Sequence, residues 1–142
     1  MTTFIQYILK PILSSLKNCG ANNAFYIDGV YYSYRQLAER VASIRYGIQT
    51  AGSTEQVWAL AIHDDLDTYA AIFALWMEGK AYVPLHPNQP LDRNQNIIAQ
   101  VGLHNVLDSH YKSPFDINDA KYVVHYTNDV HYAVSNLHAP IL

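Results

Sequence analysis

The chain has 142 residues, half of them hydrophobic and 15% charged, with a net charge of -3 when histidine is neutral. That length is enough for one domain with a real core, and the charged fraction is too low for a solvated or disordered chain. The acidic balance and the lack of any Lys/Arg cluster argue against a surface built for nucleic acid or for an anionic membrane.

Residues 1–18 read as a leading helix. Phe4, Ile5, Ile8, Leu9, Ile12, Leu13 and Leu16 recur at helical spacing and describe one apolar stripe. Pro11 falls inside it, and either kinks the helix or marks where it begins. The polar face carries only Lys10 and Lys17, too little charge for a helix lying on a membrane. The segment has no early basic region and does not read as a signal peptide. The longest apolar stretch, residues 69–77, falls short of the ~20 residues that cross a bilayer. The single cysteine, Cys19, excludes an intramolecular disulfide and suits a reducing compartment, so a cytoplasmic location is expected. With no His or basic neighbour in sequence to activate it, Cys19 reads as an incidental thiol.

A hairpin follows the polar stretch 18–23. Phe25-Tyr26-Ile27 and Val30-Tyr31-Tyr32 flank Asp28-Gly29, a dipeptide that accepts positive φ in a type I′ turn. Ser33 suits an N-cap, with Gln36 three residues on as in a capping box. Leu37, Val41, Ile44 and Ile48 then carry a helix to about Ala51, stopped by Gly52. The unbroken apolar run 57–62 predicts a strand covered on both faces, as in a parallel sheet. Asp64 or Asp65 can cap the next helix, residues 66–78, which is apolar nearly all round and therefore buried; Gly79 ends it.

A short strand over 81–85 contains Pro84, and the loop 86–90 is stiffened by Pro87 and Pro90. Residues 92–101 predict a helix with Ile97, Ile98 and Val101 inward and Gly102 at its end, and 105–107 a further strand. Alternating strands and helices with short connections define right-handed βαβ units. The expected fold is α/β: a parallel sheet of βα units flanked by helices, with an N-terminal β-hairpin. Residues 24–109 form its core. Residues 110–142 form a β-rich tail, in which 122–126 and 130–134 read as segments of a second hairpin around Asn128-Asp129.

Local chemistry points to no active site. Seven histidines invite a metal hypothesis, but His125, His131 and His138 of the tail match no compact zinc spacing, and no second cysteine exists. They read as ordinary surface or half-buried rings. Asp64, Asp65 and Asp67 are candidates for acid–base work or a divalent ion, and helix capping explains them more cheaply. No GxGxxG or GxxxxGK[ST] run is present to cradle phosphate, and no nucleophile elbow. The twelve tyrosines are spread through strands and helices without a basic groove, as core and rim residues rather than a base-stacking platform. No catalytic, cofactor-binding or metal-ligating residue is assigned.

Three phrases taken together resemble the start of the adenylate-forming (AMP-binding) superfamily. Residues 24–37, AFYIDGVYYSYRQL, resemble its opening hairpin followed by a (T/S)Y-x-(E/Q)-L helix start. Residues 37–62 are similar in length and order to its first helix–glycine–strand passage. Residues 75–90, LWMEGKAYVPLHPNQP, resemble LKAGxAYVPLDPxxP, and Leu91-Asp92-Arg93 is like the A-E-R that follows. His86 stands where the family commonly has Asp or Asn. The AYVPL wording is most like amino-acid adenylation domains and the D-alanine–carrier-protein ligases.

The resemblance implies a parent enzyme that uses ATP and Mg²⁺ to activate a carboxylic acid, expected to be an amino acid, as acyl-AMP. The acyl group then passes to a thiol, carrier-protein phosphopantetheine or CoA. In that family the phosphate loop, the later acidic motifs and the small C-terminal domain would all lie beyond residue 142, with 139–142 as the approach to the loop. Residues 1–142 are then the N-terminal portion of an AMP-binding domain, scaffold rather than catalytic centre and inactive alone. Their partner is the remainder of the parent chain, without which they are expected to self-associate. The alternatives are a stand-alone, non-catalytic α/β binding or self-assembling domain, or a piece of an acyl-CoA synthetase.

Overall fold

The computed structural model describes residues 2–111, 113–115 and 122–127, with side chains from Tyr7 onward. Helix α1 spans Thr2–Asn18 with Pro11 in its interior, so the proline interrupts the hydrogen-bond ladder without opening the helix. Leu9 and Leu16 are buried, and Ile12 and Leu13 pack beside them. Strands β1 (Asn23–Ile27) and β2 (Val30–Ser33) form the antiparallel hairpin. Asp28 and Gly29 adopt φ of 50° and 81° between them, the paired left-handed geometry of a type I′ turn.

Helix α2 (Tyr34–Thr50) starts at a complete capping box. The Ser33 hydroxyl accepts from the Gln36 N–H at 3.1 Å, and the Gln36 side chain accepts from the Ser33 N–H at 2.8 Å. Such a cap contributes about 1 kcal/mol, while each buried Leu or Ile on the same helix contributes about 1.5–3 kcal/mol. Packing of Leu37, Val41, Ile44 and Ile48 therefore holds the helix, and the box fixes where it begins. One buried residue of α2 is charged: Arg45 is only 1% exposed, reaching Glu78 Oε2 at 3.4 Å and Met77 Sδ at 3.9 Å.

Strand β3 (Val57–Ala61), helix α3 (Leu66–Met77), strand β4 (Ala81–Leu85), helix α4 (Leu91–Val101) and strand β5 (Asn105–Asp108) follow, then strand β6 (Val123–Tyr126). The four strands β3–β6 make a parallel sheet in the order β4-β3-β5-β6. Alternation along β3 splits the core. Trp58 and Leu60 face the layer containing α1, α2 and α3, whereas Ala59 and Ala61 face Ile98 of α4 together with Leu85, Val106 and Phe115. The connection through α3 covers one face and leads outward to β4. The connection through α4 covers the other face and returns past β3 to β5. Pro84 lies on β4, at the end of the sheet, where no ladder donor is required of it on its outer side.

One expectation is corrected. Val101 is 49% exposed, and Asn94 takes the inward place instead, buried one turn before Ile98 and donating its amide to the His86 carbonyl at 2.9 Å. The tail strand β6 pairs with β5 in parallel, as a fourth member of the main sheet. The second arm expected at 130–134, with its turn, lies outside the described residues, as do His131, His138 and 139–142. No helix among the described residues is long and apolar enough to cross a membrane.

Candidate functional site

Chain order dictates where a ligand can sit on this sheet. The chain leaves β3 through α3 on one face, and Phe115 after β5 packs on the other face, so the carboxyl ends of β3 and β5 flank a crevice, the switch point at which open α/β sheets bind ligands. A cavity of about 520 Å³ occupies that place. His63, Asp64 and Asp65 enter it from the turn after β3, Asn88 from the loop after β4, and His110 and Tyr111 from the turn after β5.

Asp65 is the N-cap of α3, its Oδ1 accepting from the Thr68 N–H at 2.8 Å. Its Oδ2 accepts from the Ser109 hydroxyl at 2.6 Å and lies 3.5 Å from His110 Nε2. Burial works to raise this carboxyl, but the hydrogen bonds from Ser109 and Thr68 and the nearby His63 outweigh it, so the carboxyl titrates below its ordinary range. Asp64 accepts from the Tyr69 hydroxyl at 2.6 Å, which pushes that phenol up. Asp67 lies outside the crevice and pairs with Arg40 of α2 at 2.6 Å. Capping and ion pairing thus account for Asp65 and Asp67.

Beneath these side chains is Asp108, the last residue of β5, 0% exposed. Its Oδ1 lies 2.9 Å from His63 Nε2 and accepts from the His110 N–H at 2.9 Å, while Oδ2 has no partner among the described residues. The rings of His63 and His110 stack with centroids 3.7 Å apart and planes 6° from parallel. Nitrogen lone pairs in two such planes do not converge on one point, and among the described residues no group of three or more His, Cys, Asp or Glu is arranged to hold a metal ion. With two aspartates at its rim, one beneath it and no described Lys or Arg lining it, the crevice does not fit the phosphates of ATP.

The amino ends of β3, β5 and β6 carry a hydrogen-bonded network instead, beside an apolar cavity of about 370 Å³ at the starts of β3 and β4. Asn105 donates to Ser53 Oγ at 2.9 Å and lies 3.0 Å from His125 Nε2, and the His125 ring stacks on Trp58 with centroids 5.1 Å apart. Trp58 Nε1 and Lys80 Nζ both donate to the Glu55 carbonyl, at 3.1 and 2.6 Å. His125 is therefore a half-buried ring held by Asn105 and Trp58. His86, which departs from the family phrase, is exposed; its backbone carbonyl receives Asn94 and Gln89.

Reading the sequence did not find the crevice cluster. Its signal was present as His-Asp-Asp after one strand and Asp-Ser-His after another. The two become neighbours only when β5 is known to lie beside β3.

An open parallel sheet with helices on both faces and its crevice at the switch point defines the chain as part of an α/β ligand-binding fold. The AMP-binding enzyme family model matches residues 15–136, and the chain belongs to that family. It is 30% identical over 98 residues to surfactin synthase subunit 1 of Bacillus subtilis (strain 168), an alignment covering 66% of this chain and 3% of that protein. It resembles the holo form of a four-domain nonribosomal peptide synthetase bound to AMP and glycine, with a TM-score of 0.77 and 28% identity over 89% of this chain and 9% of that one. The N-terminal subdomain of Klebsiella oxytoca NpsA shares the fold, with a TM-score of 0.70 at 18% identity, over 93% of this chain and 34% of that one. The chain thus spans a small fraction of these relatives. The relatives are adenylation domains of nonribosomal peptide synthetases, the side of the family toward which AYVPL leaned.

Proposed function

We propose that this chain supplies the N-terminal scaffold of an ATP-dependent adenylation domain that activates an amino acid as acyl-AMP and passes it to a carrier-protein phosphopantetheine thiol. The observation that carries the reading is the family match over residues 15–136, together with relatives that are peptide synthetases. ATP, with Mg²⁺, would supply the phosphoryl electrophile and the charge neutralisation that carboxylate activation requires.

The chain's own contribution is positional. Trp58, Leu60 and Val106 bury the central strands, the Asp65 cap fixes the start of α3, and Asn94 anchors α4 to the loop after β4. The described residues include neither a phosphate-binding loop nor a basic cluster, so residues 1–142 alone are expected to be inactive.

Amino-acid-dependent exchange of pyrophosphate into ATP tests the reading. A longer chain containing these residues is expected to exchange with one or a few amino acids, and residues 1–142 with none. A longer chain that exchanges with no amino acid, yet forms acyl-CoA from free CoA, would replace this reading with an acyl-CoA synthetase.

A further inference from the structure

We propose that the cavity between α2 and strand β6 is a binding site for a small neutral molecule that joins an apolar ring to one hydrogen-bonding group. The inference goes beyond the adenylation reading and does not rest on it.

Two buried hydroxyls are the first reason. The cavity, about 220 Å³, is walled by Ser43, Ile44 and Gly47 of α2, by Leu107 of β5, and by β6 with Thr127 just after it. Ser43 is 2% exposed and Thr127 4%, and neither Ser43 Oγ nor Thr127 Oγ1 has a hydrogen-bond partner among the described residues. A buried hydroxyl without a partner is costly. Two of them, brought to one cavity by different elements, mark a place where something in the cavity accepts or donates the missing bonds. Gly47 is the second reason. It stands inside α2, where glycine weakens a helix, and a Cβ there would meet no atom within 4 Å. No neighbour requires the glycine, and its effect is to widen the cavity.

The walls select the kind of ligand. Among the described residues no Asp, Glu, Lys or Arg lines the cavity, and burial lowers the affinity of the His125 imidazole for a proton, so at neutral pH that wall is uncharged. A charged ligand would enter without a counterion. Ile44, Leu107 and Val124 offer apolar surface, and the two hydroxyls offer points that either donate or accept. An apolar cavity of about 150 Å³ takes benzene. About 220 Å³ therefore leaves room for a ring with one polar substituent.

Benzamide is the probe, with toluene as its counterpart lacking the amide and benzoate as its charged one. Titration of the 142-residue chain is followed by the backbone amide NMR signals of Ser43, Gly47 and Thr127. Benzamide is expected to shift all three saturably in the millimolar range, and toluene and benzoate to leave them unmoved. Ser43→Ala and Thr127→Val should each weaken benzamide by roughly three- to tenfold, as loss of one neutral hydrogen bond does. Neither should lower the urea midpoint, because the hydroxyl removed has no partner in the free chain. Gly47→Leu places a side chain in the cavity and should abolish binding with the helical circular dichroism retained.

No shift from benzamide, equal shifts from toluene, or unchanged benzamide affinity in both Ser43→Ala and Thr127→Val would each overturn the proposal. So would a fall in the urea midpoint of both variants, which means that the hydroxyls are bonded within the chain. Ser43→Ala and Thr127→Val decide the question even where Gly47→Leu fails to fold. Failure of pyrophosphate exchange in a longer chain bears on none of these outcomes.

Discussion

His125 lies half-buried against Trp58, and burial alone holds its imidazole below the ordinary value of 6.5. The folded state therefore resists a proton that the unfolded chain accepts. Stability from this residue is complete above about 6.5 and drains away as pH falls below it, because the unfolded chain then binds the extra proton. Urea midpoints measured from pH 7.5 to 5 should fall, and the fall should be shallower in His125→Gln; an identical slope in both proteins would remove His125 as the cause. Residues whose roles depend on near neighbours were legible from sequence: Ser33 with Gln36, Asp28 with Gly29, and an acidic cap for α3. Asp108 and His63 were not, because their contact joins positions brought together only by strand order.

Polar contacts pin elements of this fold to one another. Arg40 of α2 is the clearest, bonding Asp67 in the first turn of α3 at 2.6 Å and donating to the Thr127 carbonyl just past β6 at 2.7 Å. Both side chains of the ion pair are largely shielded from solvent, so the pair is worth more than a surface contact. A double-mutant cycle with Arg40→Met and Asp67→Asn should return a coupling of about 1 kcal/mol, near the middle of the range for contacting residues. Amide exchange over 122–127 should also quicken in Arg40→Met; unchanged exchange there would confine Arg40 to joining the two helices. Hydrophobic spacing predicted every helix and most strands to within a residue or two, since burial of one face is written into the sequence. It misplaced Val101 because an apolar residue at the end of a helix can meet the spacing rule and still find nothing to cover it.

At the scale of the molecule, the two ends of the sheet differ in kind: a hydrogen-bonded network around Asn105 and an apolar cavity of about 370 Å³ at the starts of β3 and β4 on the amino side, an acidic crevice at the carboxyl ends. The sides differ too. Pro84 stiffens β4 at one side, and Val123 of β6 is 58% exposed at the other, while Tyr26 and Tyr31 of the hairpin add a contiguous apolar patch. Such surfaces draw chains together. Sedimentation velocity should show dimers or larger species growing with concentration; a single monomeric boundary at every concentration would contradict this.

The strand order β4-β3-β5-β6 also sets a timetable for folding. β3 meets β4 across only the α3 connection, so their pairing closes a short loop early. β5 must wait until α4 has carried the chain back across the opposite face, and β6 can add only after β5 is in place. During synthesis from the N-terminus, the β3–α3–β4 unit therefore leaves the ribosome able to assemble first, with Ala59 and Ala61 uncovered on one face until α4 arrives. That interval is when a nascent chain of this fold is most open to capture by a chaperone.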